Sequence, residues 1–306
     1  MIETSFAALV LIVAGAALRR AGLLREEHAQ ALVNIVLYLA MPALVFLILA
    51  RADLRADLLL APVAAWVGHV VLMVLAAGIA RARHMDRPRM GAFLTAIAVG
   101  NTGFFGLPLI AASGPGFSLP AAIMLDSLAT AIITWTSTVA IGTAFGSAGD
   151  GRARVDWGGL VRGLMLPPMW GLLAGIAWNL AGMGRVPTAL ARPLEILSGA
   201  VLPLVMLYAG LVFSPDGLRR NAGDVGLITV MRLVVGGVVG VLVGRALGMN
   251  GDLLHTVVVM GAMPTAMMSL VLGDRYGLRR DILSDAVVVT SLLCTVTLPI
   301  VRWMVL

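Results

Sequence analysis

The chain has 306 residues, of which 60% are hydrophobic and only 12% are charged. A soluble domain carries about 25% charged residues, so a surface of this composition would not stay hydrated, and a soluble enzyme is excluded. At about 20 apolar residues per crossing, the length holds at most about ten to twelve membrane helices.

The basic residues are all arginine. The sequence contains 22 arginines, no lysine and 16 acidic residues, which leaves a net charge of +6. The arginines lie between apolar runs and form no basic stripe, so we predict no nucleic-acid partner. The single cysteine, Cys294, lies in an apolar run, and we expect it to be a core residue. No disulfide framework, metal site or cofactor is predicted.

Ten apolar segments follow one another with short linkers between them. Uninterrupted apolar runs of this length indicate membrane helices and not strands. The first run lacks a preceding basic residue and a following cleavage site, so we interpret it as a spanning helix and not a signal peptide. The segments are 3–19, 30–50, 58–80, 90–112, 119–146, 158–182, 193–213, 225–247, 253–273 and 282–305.

Arginine counts predict the orientation of the chain. The odd-numbered loops hold 14 arginines, whereas the even-numbered loops and the C-terminal end hold 6. Arginine-rich loops remain in the cytoplasm. The sequence therefore predicts a multi-pass protein of the bacterial inner membrane, surrounded by lipid, with both termini on the outer face.

The two halves of the chain repeat a pattern of helix-breaking residues. Pro42 in segment two and Pro203 in segment seven are 161 positions apart, and so are Gly100 in segment four and Gly261 in segment nine. Each half holds five segments, and because five is odd the second half must enter the membrane upside down. Chance is the alternative, since proline and glycine are common in membrane helices.

We therefore predict an all-α membrane protein of ten helices in two inverted five-helix repeats, 1–146 and 158–306. A short cytoplasmic linker at 147–157 joins them. Inverted repeats with helix breaks at matching positions are typical of secondary transporters.

Segments four and nine are each predicted to break in mid-membrane. Glycine and proline make a continuous helix costly at these positions. At about 1.5 Å per residue, each break lies about 12–18 Å below its own membrane face, so the two can meet near the middle of the bilayer. The breaking residues are Gly100, Gly103, Gly106 and Pro108 in one segment and Gly261 and Pro264 in the other.

Backbone groups freed at such breaks must face protein or a polar cavity. The half-helix that starts after each break points the positive end of its dipole into the gap, which suits an anion such as a carboxylate. Kinks that only aid packing are the alternative. The predicted substrate-binding residues are Asn101, Thr102, Gly103, Pro108, Pro264 and Thr265.

The motifs at these positions resemble a known family. The runs NIVLYLAMPALVF at 34–46 and GNTGFFGLPL at 100–109, with MPTA at 263–266, are similar to the auxin efflux carrier family, in its bacterial malonate-transporter-like branch. The resemblance covers nearly the whole chain. It implies ten helices in two inverted repeats, a crossed pair formed by the fourth and ninth, and movement of small organic anions.

The resemblance also implies a scaffold apart from a moving transport domain, and often a homodimer. Asn101 matches the polar residue that the family carries at the crossing. Met267 and Met268 stand where several members have a polar amide, which argues against a sodium site. Glycines at four-residue spacing in segment eight predict a close-packing face, within the subunit or in a dimer.

Three ionisable residues within segments are candidates for coupling or charge compensation. Asp126 could carry a coupling proton, or could merely be hydrogen-bonded to the neighbouring Ser127 or Thr130 hydroxyls or to Arg232. Arg232 could bind a substrate carboxylate, replace a bound cation, or extend its charge to the membrane surface. His69 could shuttle protons or could pack as a neutral side chain.

We therefore predict a secondary transporter of small carboxylates such as malonate, malate or auxin-like acids, working by alternating access with proton coupling. A channel or an uncoupled facilitator is the main alternative. An integral membrane enzyme is disfavoured because the sequence has four histidines, one cysteine and neither a His-x-x-x-His nor a Gly-x-Ser-x-Gly motif.

Overall fold

The computed structural model describes residues 2–147, 157–158, 161, 165–212 and 221–305. Within these ranges the regular elements are helices, and the extended backbone pairs only at one isolated bridge. Six of the described helices are long and apolar enough to cross a membrane. The prediction of an all-helical membrane protein is confirmed.

Twelve helices lie in the described ranges, and they occupy the ten predicted apolar segments. Segment four holds two of them, α4 and α5, and segment nine holds α10 and α11. The predicted linker 147–157 lies almost wholly outside the described residues. The helices are α1 Ile2–Arg20, α2 26–50, α3 Ala56–Ala82, α4 Arg87–Ala98, α5 Thr102–Ala112, α6 Leu119–Phe145, α7 Pro167–Leu180, α8 188–212, α9 Ala222–Ala246, α10 Gly251–Gly261, α11 Met268–Tyr276 and α12 Arg280–Val305.

Four helices contain π-helical turns, in which each backbone bond spans one residue more than in an α-helix. Such turns are frequent at functional sites. No residue type marks such turns, so they cannot be predicted from the sequence. They lie at 36–40 in α2, 102–106 in α5, 126–130 and 134–138 in α6, and 230–235 in α9.

Pro42 does not break its helix as predicted, whereas a turn interrupts the helix just before Pro203. Pro42 follows the π-helical turn of α2, and the backbone stays helical on both sides of it, with Met41 N–H bonded to Val36 O. Pro203 lies in the first turn after a single turn residue, Ala200. Both prolines start a helical stretch, where a missing N–H costs little.

Glycines allow two pairs of helices to pack with their backbones in contact. A Cβ atom on Gly210 of α8 would lie 2.0 Å from Ile12 O of α1. A Cβ atom on Gly171 of α7 would lie 2.5 Å from Pro42 O of α2. Small residues at such contacts let membrane helices approach closely.

The glycine-rich face of α9 packs inside the subunit. A Cβ atom on Gly236 would lie 2.3 Å from Gly261 O, and one on Gly240 would lie 3.0 Å from Val258 Cα of α10. This face is therefore filled by α10. Because α10 covers this face, it does not provide the interface of the predicted homodimer.

The largest buried apolar cluster joins side chains of α2, α5, α6, α8 and α10. Phe105, Leu107 and Leu109 of α5 are essentially inaccessible to solvent. The short helix α5 is thus held on all sides, and this fixes the position of its first residues.

Gly210→Ala is expected to lower the melting temperature of the purified protein by several degrees. The added methyl group overlaps a carbonyl oxygen of α1, and overpacking of this kind costs about 1–3 kcal/mol. Gly226→Ala is the matched control, since no atom of the described residues lies within 4 Å of its Cβ position. Melting is followed by intrinsic fluorescence. Equal melting temperatures for the two variants would contradict the assigned α1–α8 contact.

Candidate functional site

The interruptions of segments four and nine lie against each other. Gly100 and Thr265 form an antiparallel bridge. Asn101 N–H donates to Pro264 O at 2.7 Å, and Ala266 N–H donates to Val99 O at 3.0 Å. Two short extended stretches, one from each half of the chain, therefore pair where their helices stop.

Side chains donate hydrogen bonds to the carbonyl groups at the ends of α4 and α10. The Thr265 hydroxyl donates to Ala96 O at 3.0 Å, and Arg232 Nη1 donates to Ile97 O at 3.2 Å. Arg232 also donates from Nη2 to Met263 O at 2.9 Å. The carbonyl ends of the two interrupted helices are thus occupied by donors of the chain itself.

The helices that start after the interruptions leave backbone donors free. Gly103 and Phe104 begin α5, and Met267 and Met268 lie at the start of α11. In the described part of the chain, their N–H groups have no hydrogen-bond partner. All four residues line one cavity of about 140 Å³. Two positive helix ends therefore meet at the same space.

Asn101 adds a further donor to this cavity. Its side chain is 3% exposed, and its Nδ2 atom has no hydrogen-bond partner among the described residues. A buried amide without a partner is uncommon in folded proteins, and a ligand is one of the ordinary explanations. Asn101 therefore lies in the position expected of a residue that binds an anion.

Asp126 of α6 faces the first turn of α5. Its Oδ1 atom accepts a hydrogen bond of 2.5 Å from the Thr102 hydroxyl. A Cβ atom on Gly103 would lie 3.1 Å from Asp126 Oδ2, so the carboxyl group sits beside the positive end of α5. The predicted hydroxyl partners of Asp126 lie on α6 itself, whereas the partner in the structure, Thr102, lies on α5.

Apart from these groups and the hydroxyl-bearing residues Ser127, Thr130 and Thr134, the cavity wall is mainly apolar. Its walls come from α2, α5, α6, α7 and the stretch around α11, and no arginine or histidine lines it among the described residues. It adjoins a space of about 230 Å³ that shares five of its lining residues. The cavity is lined by Leu37, Met41, Val99, Gly100, Asn101, Gly103, Phe104, Asp126, Ser127, Thr130, Ala131, Thr134, Trp135, Leu166, Pro168, Met169, Ala266, Met267 and Met268.

Four predicted substrate-binding residues do not line the cavity. Thr102 donates to Asp126 and lines a separate cavity of about 70 Å³. Pro108 lies beyond the first turn of α5 among apolar side chains. Pro264 contributes a carbonyl to the paired stretches, and Thr265 bonds to Ala96 O and to the Thr290 hydroxyl. Pro264 and Thr265 therefore hold the interrupted segments together, and neither is a ligand of a solute in this cavity.

His69 and Arg232 line a different cavity of about 70 Å³. His69 Nδ1 lies 3.1 Å from Ala98 O, and its Nε2 lies 2.9 Å from the Ser137 hydroxyl. Both ring nitrogens are thus engaged, as expected for the packing alternative. Arg232 does not line the cavity that holds Asn101. It therefore has no contact there through which it could bind a substrate carboxylate, as one of its predicted roles requires.

The glycines predicted as breaks allow close approach of other groups. A Cβ atom on Gly100 would lie 2.1 Å from Arg232 Nη2, and one on Gly106 would lie 2.8 Å from Met260 Sδ. A Cβ atom on Gly261 would lie 2.7 Å from Gly236 O. Trp135 and Met169, which the sequence analysis did not select, are cavity residues whose roles only the tertiary structure reveals.

A family model described as membrane transport protein matches residues 1–144 and 158–302. The chain belongs to this family. The transporter is 32% identical, over 301 residues, to an uncharacterized transporter of Methanothermobacter thermautotrophicus, covering 97% of this chain and 96% of the relative.

Two further relatives indicate the breadth of the family. The transporter is 28% identical over 273 residues to a Rhizobium meliloti protein named "Putative malonate transporter", covering 86% of this chain and 82% of the relative. It is 31% identical over 137 residues to auxin efflux carrier component 2 of Arabidopsis thaliana, covering 43% of this chain and 21% of the relative. The resemblance to the auxin efflux carrier family is confirmed, and the protein is a membrane transporter and not an enzyme.

Proposed function

We propose that the transporter is a secondary carrier of small organic anions that works by alternating access. The observation that carries this proposal is the convergence of unpaired donors on one cavity. The N–H groups that begin α5 and α11 and the Asn101 amide all belong to residues of its wall. Helix N-termini with free N–H groups form a favourable site for a carboxylate.

The chemistry of the cavity favours a monocarboxylate with an apolar body. One carboxylate can be held by the helix ends and Asn101, whereas a second would meet a wall to which the described residues contribute no basic side chain. An unpaired buried charge is costly. Trp135 and the methionines of the wall suit an aromatic or aliphatic group, because methionine adapts to irregular shapes. Dicarboxylates such as malonate and malate are therefore the poorer substrates.

Asp126 is proposed to couple transport to protons. Its carboxyl group lies beside the helix end at which the anion binds. Two negative charges at this short distance in a low-dielectric space repel strongly. The anion therefore binds together with a proton on Asp126. An uncoupled carrier is the second candidate, favoured by the hydrogen bond with which Thr102 already satisfies the carboxyl group.

The packing of the helices supports two inverted repeats at 1–146 and 158–306. Under exchange of the halves, α1 takes the place of α7, and α2 takes the place of α8. The contact of α1 with α8 then becomes the contact of α7 with α2, and both contacts are close. The two interrupted pairs, α4–α5 and α10–α11, exchange in the same way, which supports a crossing in mid-membrane.

The same packing supports a scaffold of α1, α2, α7 and α8 and a moving part made of the remaining helices. The cavity lies between the two, since α2 and α7 form one wall and α5, α6 and α11 form the other. Displacement of one part against the other would change which face of the membrane the solute meets. We place the protein in a bacterial plasma membrane, with arginine-rich loops in the cytoplasm and both termini outside.

Transport into proteoliposomes tests the substrate class and the site together. We expect saturable uptake of indole-3-acetate or phenylacetate, and weaker uptake of malonate. Asn101→Ala is expected to raise the half-saturation concentration about tenfold or more, since a hydrogen bond to a charged group contributes about 1.5–3 kcal/mol.

Asn250→Ala is the matched control, because this exposed amide bonds only to a loop carbonyl, Gly248 O, in the described structure. Unchanged kinetics in Asn101→Ala would refute the assignment of the site. Preferential uptake of malonate would refute the monocarboxylate specificity.

A further inference from the structure

Arg232 connects the two interrupted segments through a single guanidinium group. It lies in the π-helical turn of α9 and is 4% exposed. Its Nε and Nη2 atoms donate to Met263 O at 3.2 and 2.9 Å, and Nη1 donates to Ile97 O at 3.2 Å. One side chain thus binds the carbonyl end of α4 and the carbonyl that follows α10.

The charge of Arg232 is matched by backbone and not by a carboxylate. Among the described residues, none of the ion pairs within 4.0 Å includes Arg232. The C-terminal end of a helix carries about half a negative charge, so two such ends together match about one guanidinium. Carbonyl oxygens at interrupted helix ends are also the ligands that bind alkali cations in transporters.

The surrounding backbone is shaped to admit this side chain. A Cβ atom on Gly100 would lie 2.1 Å from Arg232 Nη2 and 3.1 Å from Cζ. Only a glycine at this position leaves room for the guanidinium. The Gly100–Thr265 bridge runs beside it, so the side chain and the paired stretches are packed as one unit.

We propose that Arg232 is a positioning residue that acts as a resident cation. It holds the two interrupted segments together, so that they move as one body, and it takes the place of sodium at their carbonyl ends. The transporter therefore needs no sodium to assemble its anion site. The transport consequence rests on the proposed function, whereas the binding of the guanidinium group to the carbonyl ends does not.

The test compares the wild type with Arg232→Ala and with Arg245→Ala, an exposed arginine in the last turn of the same helix. Melting temperature and initial uptake of indole-3-acetate are measured in sodium chloride and in N-methyl-D-glucamine chloride. Both are repeated with millimolar guanidinium chloride. The wild type is expected to give the same values in either salt.

Arg232→Ala is expected to melt about 10 °C lower, because two buried carbonyl groups lose their partner. Guanidinium is expected to raise its melting temperature and part of its uptake, since a ligand that binds the folded state stabilises it. The same addition should leave the wild type and Arg245→Ala unchanged. A loss of packing alone would not be repaired by a free ion of this shape.

Two results would overturn the proposal. One is a wild type whose uptake or melting temperature falls when sodium is replaced. The other is an Arg232→Ala protein that gains no more from guanidinium than Arg245→Ala does. Should Arg232→Ala not fold, the sodium comparison on the wild type still decides. Should the wild type carry none of the tested acids, the proposed substrate class fails, and the melting temperatures still test the cation site.

Discussion

Asp126→Asn is expected to abolish accumulation of substrate driven by a pH gradient while leaving exchange at equal pH intact. The amide keeps the size of the side chain and its contact with Thr102, but it cannot take up and release a proton. With one proton per anion, a gradient of one pH unit supports about a tenfold accumulation, since it is equivalent to about 1.4 kcal/mol. The variant should accumulate substrate only at the initial rate of protein-free liposomes, because passive entry of the undissociated acid approaches the same ratio without a carrier.

The control for this experiment is Asp252→Asn. Asp252 lies in the first turn of α10 and does not line the cavity that holds Asn101. Counterflow of labelled substrate at equal pH shows whether each variant still binds and moves the anion. If Asp126→Asn accumulated substrate at the initial rate of the wild type, proton coupling through this residue would be ruled out, and the uncoupled carrier would be preferred.

Gly100→Ala is expected to remove most uptake and to lower the melting temperature by about 10 °C. The methyl group would lie 2.1 Å from Arg232 Nη2 and 3.5 Å from Met263 Cβ, in a place where two backbones are paired. To make room for the methyl group, Arg232 must lose its hydrogen bonds to the paired stretches. Disrupting a buried cation in this way lowers the free energy of unfolding by about 3–5 kcal/mol. Uptake and melting curves of the purified variant measure both effects.

Gly78→Ala is the matched control for this substitution. Gly78 lies within α3, and in the described part of the chain no atom lies within 4 Å of its Cβ position. It should melt at or slightly above the wild-type temperature, because alanine favours helix more than glycine does. A Gly100→Ala protein that behaves like Gly78→Ala would show that the paired stretches can separate freely, contrary to the structure described above.

The positions of the helices could be predicted from sequence because they depend on local properties. Apolar runs of sufficient length have few alternatives in a membrane. The interruptions near Gly100 and Pro264 could be predicted equally well, because glycine and proline raise the free-energy cost of forming a helix at these positions. Pro42 shows the limit of that argument, because one π-helical turn accommodates it without leaving the helix.

The roles of individual side chains in the site could not be predicted in the same way. Asn101 and Thr265 are both polar residues of an interruption, yet one lines the cavity and the other bonds to Ala96 O. Arg232 bonds to Ile97 O, a partner 135 positions away. Such contacts depend on how whole helices pack, and an amide or guanidinium carries no sequence signal for the direction in which it points.

The π-helical turns of α6 determine the shape of the cavity wall. In an ideal α-helix, a step of four residues overshoots one full rotation by about 40°, so a four-residue stripe winds around the axis. The wider turns absorb that excess. The stripe consists of Asp126 and Ser127, Thr130 and Ala131, and Thr134 and Trp135. It forms a straight ladder about 12 Å long, with a carboxyl group at one end and an indole ring at the other, against which an elongated acid can lie lengthwise.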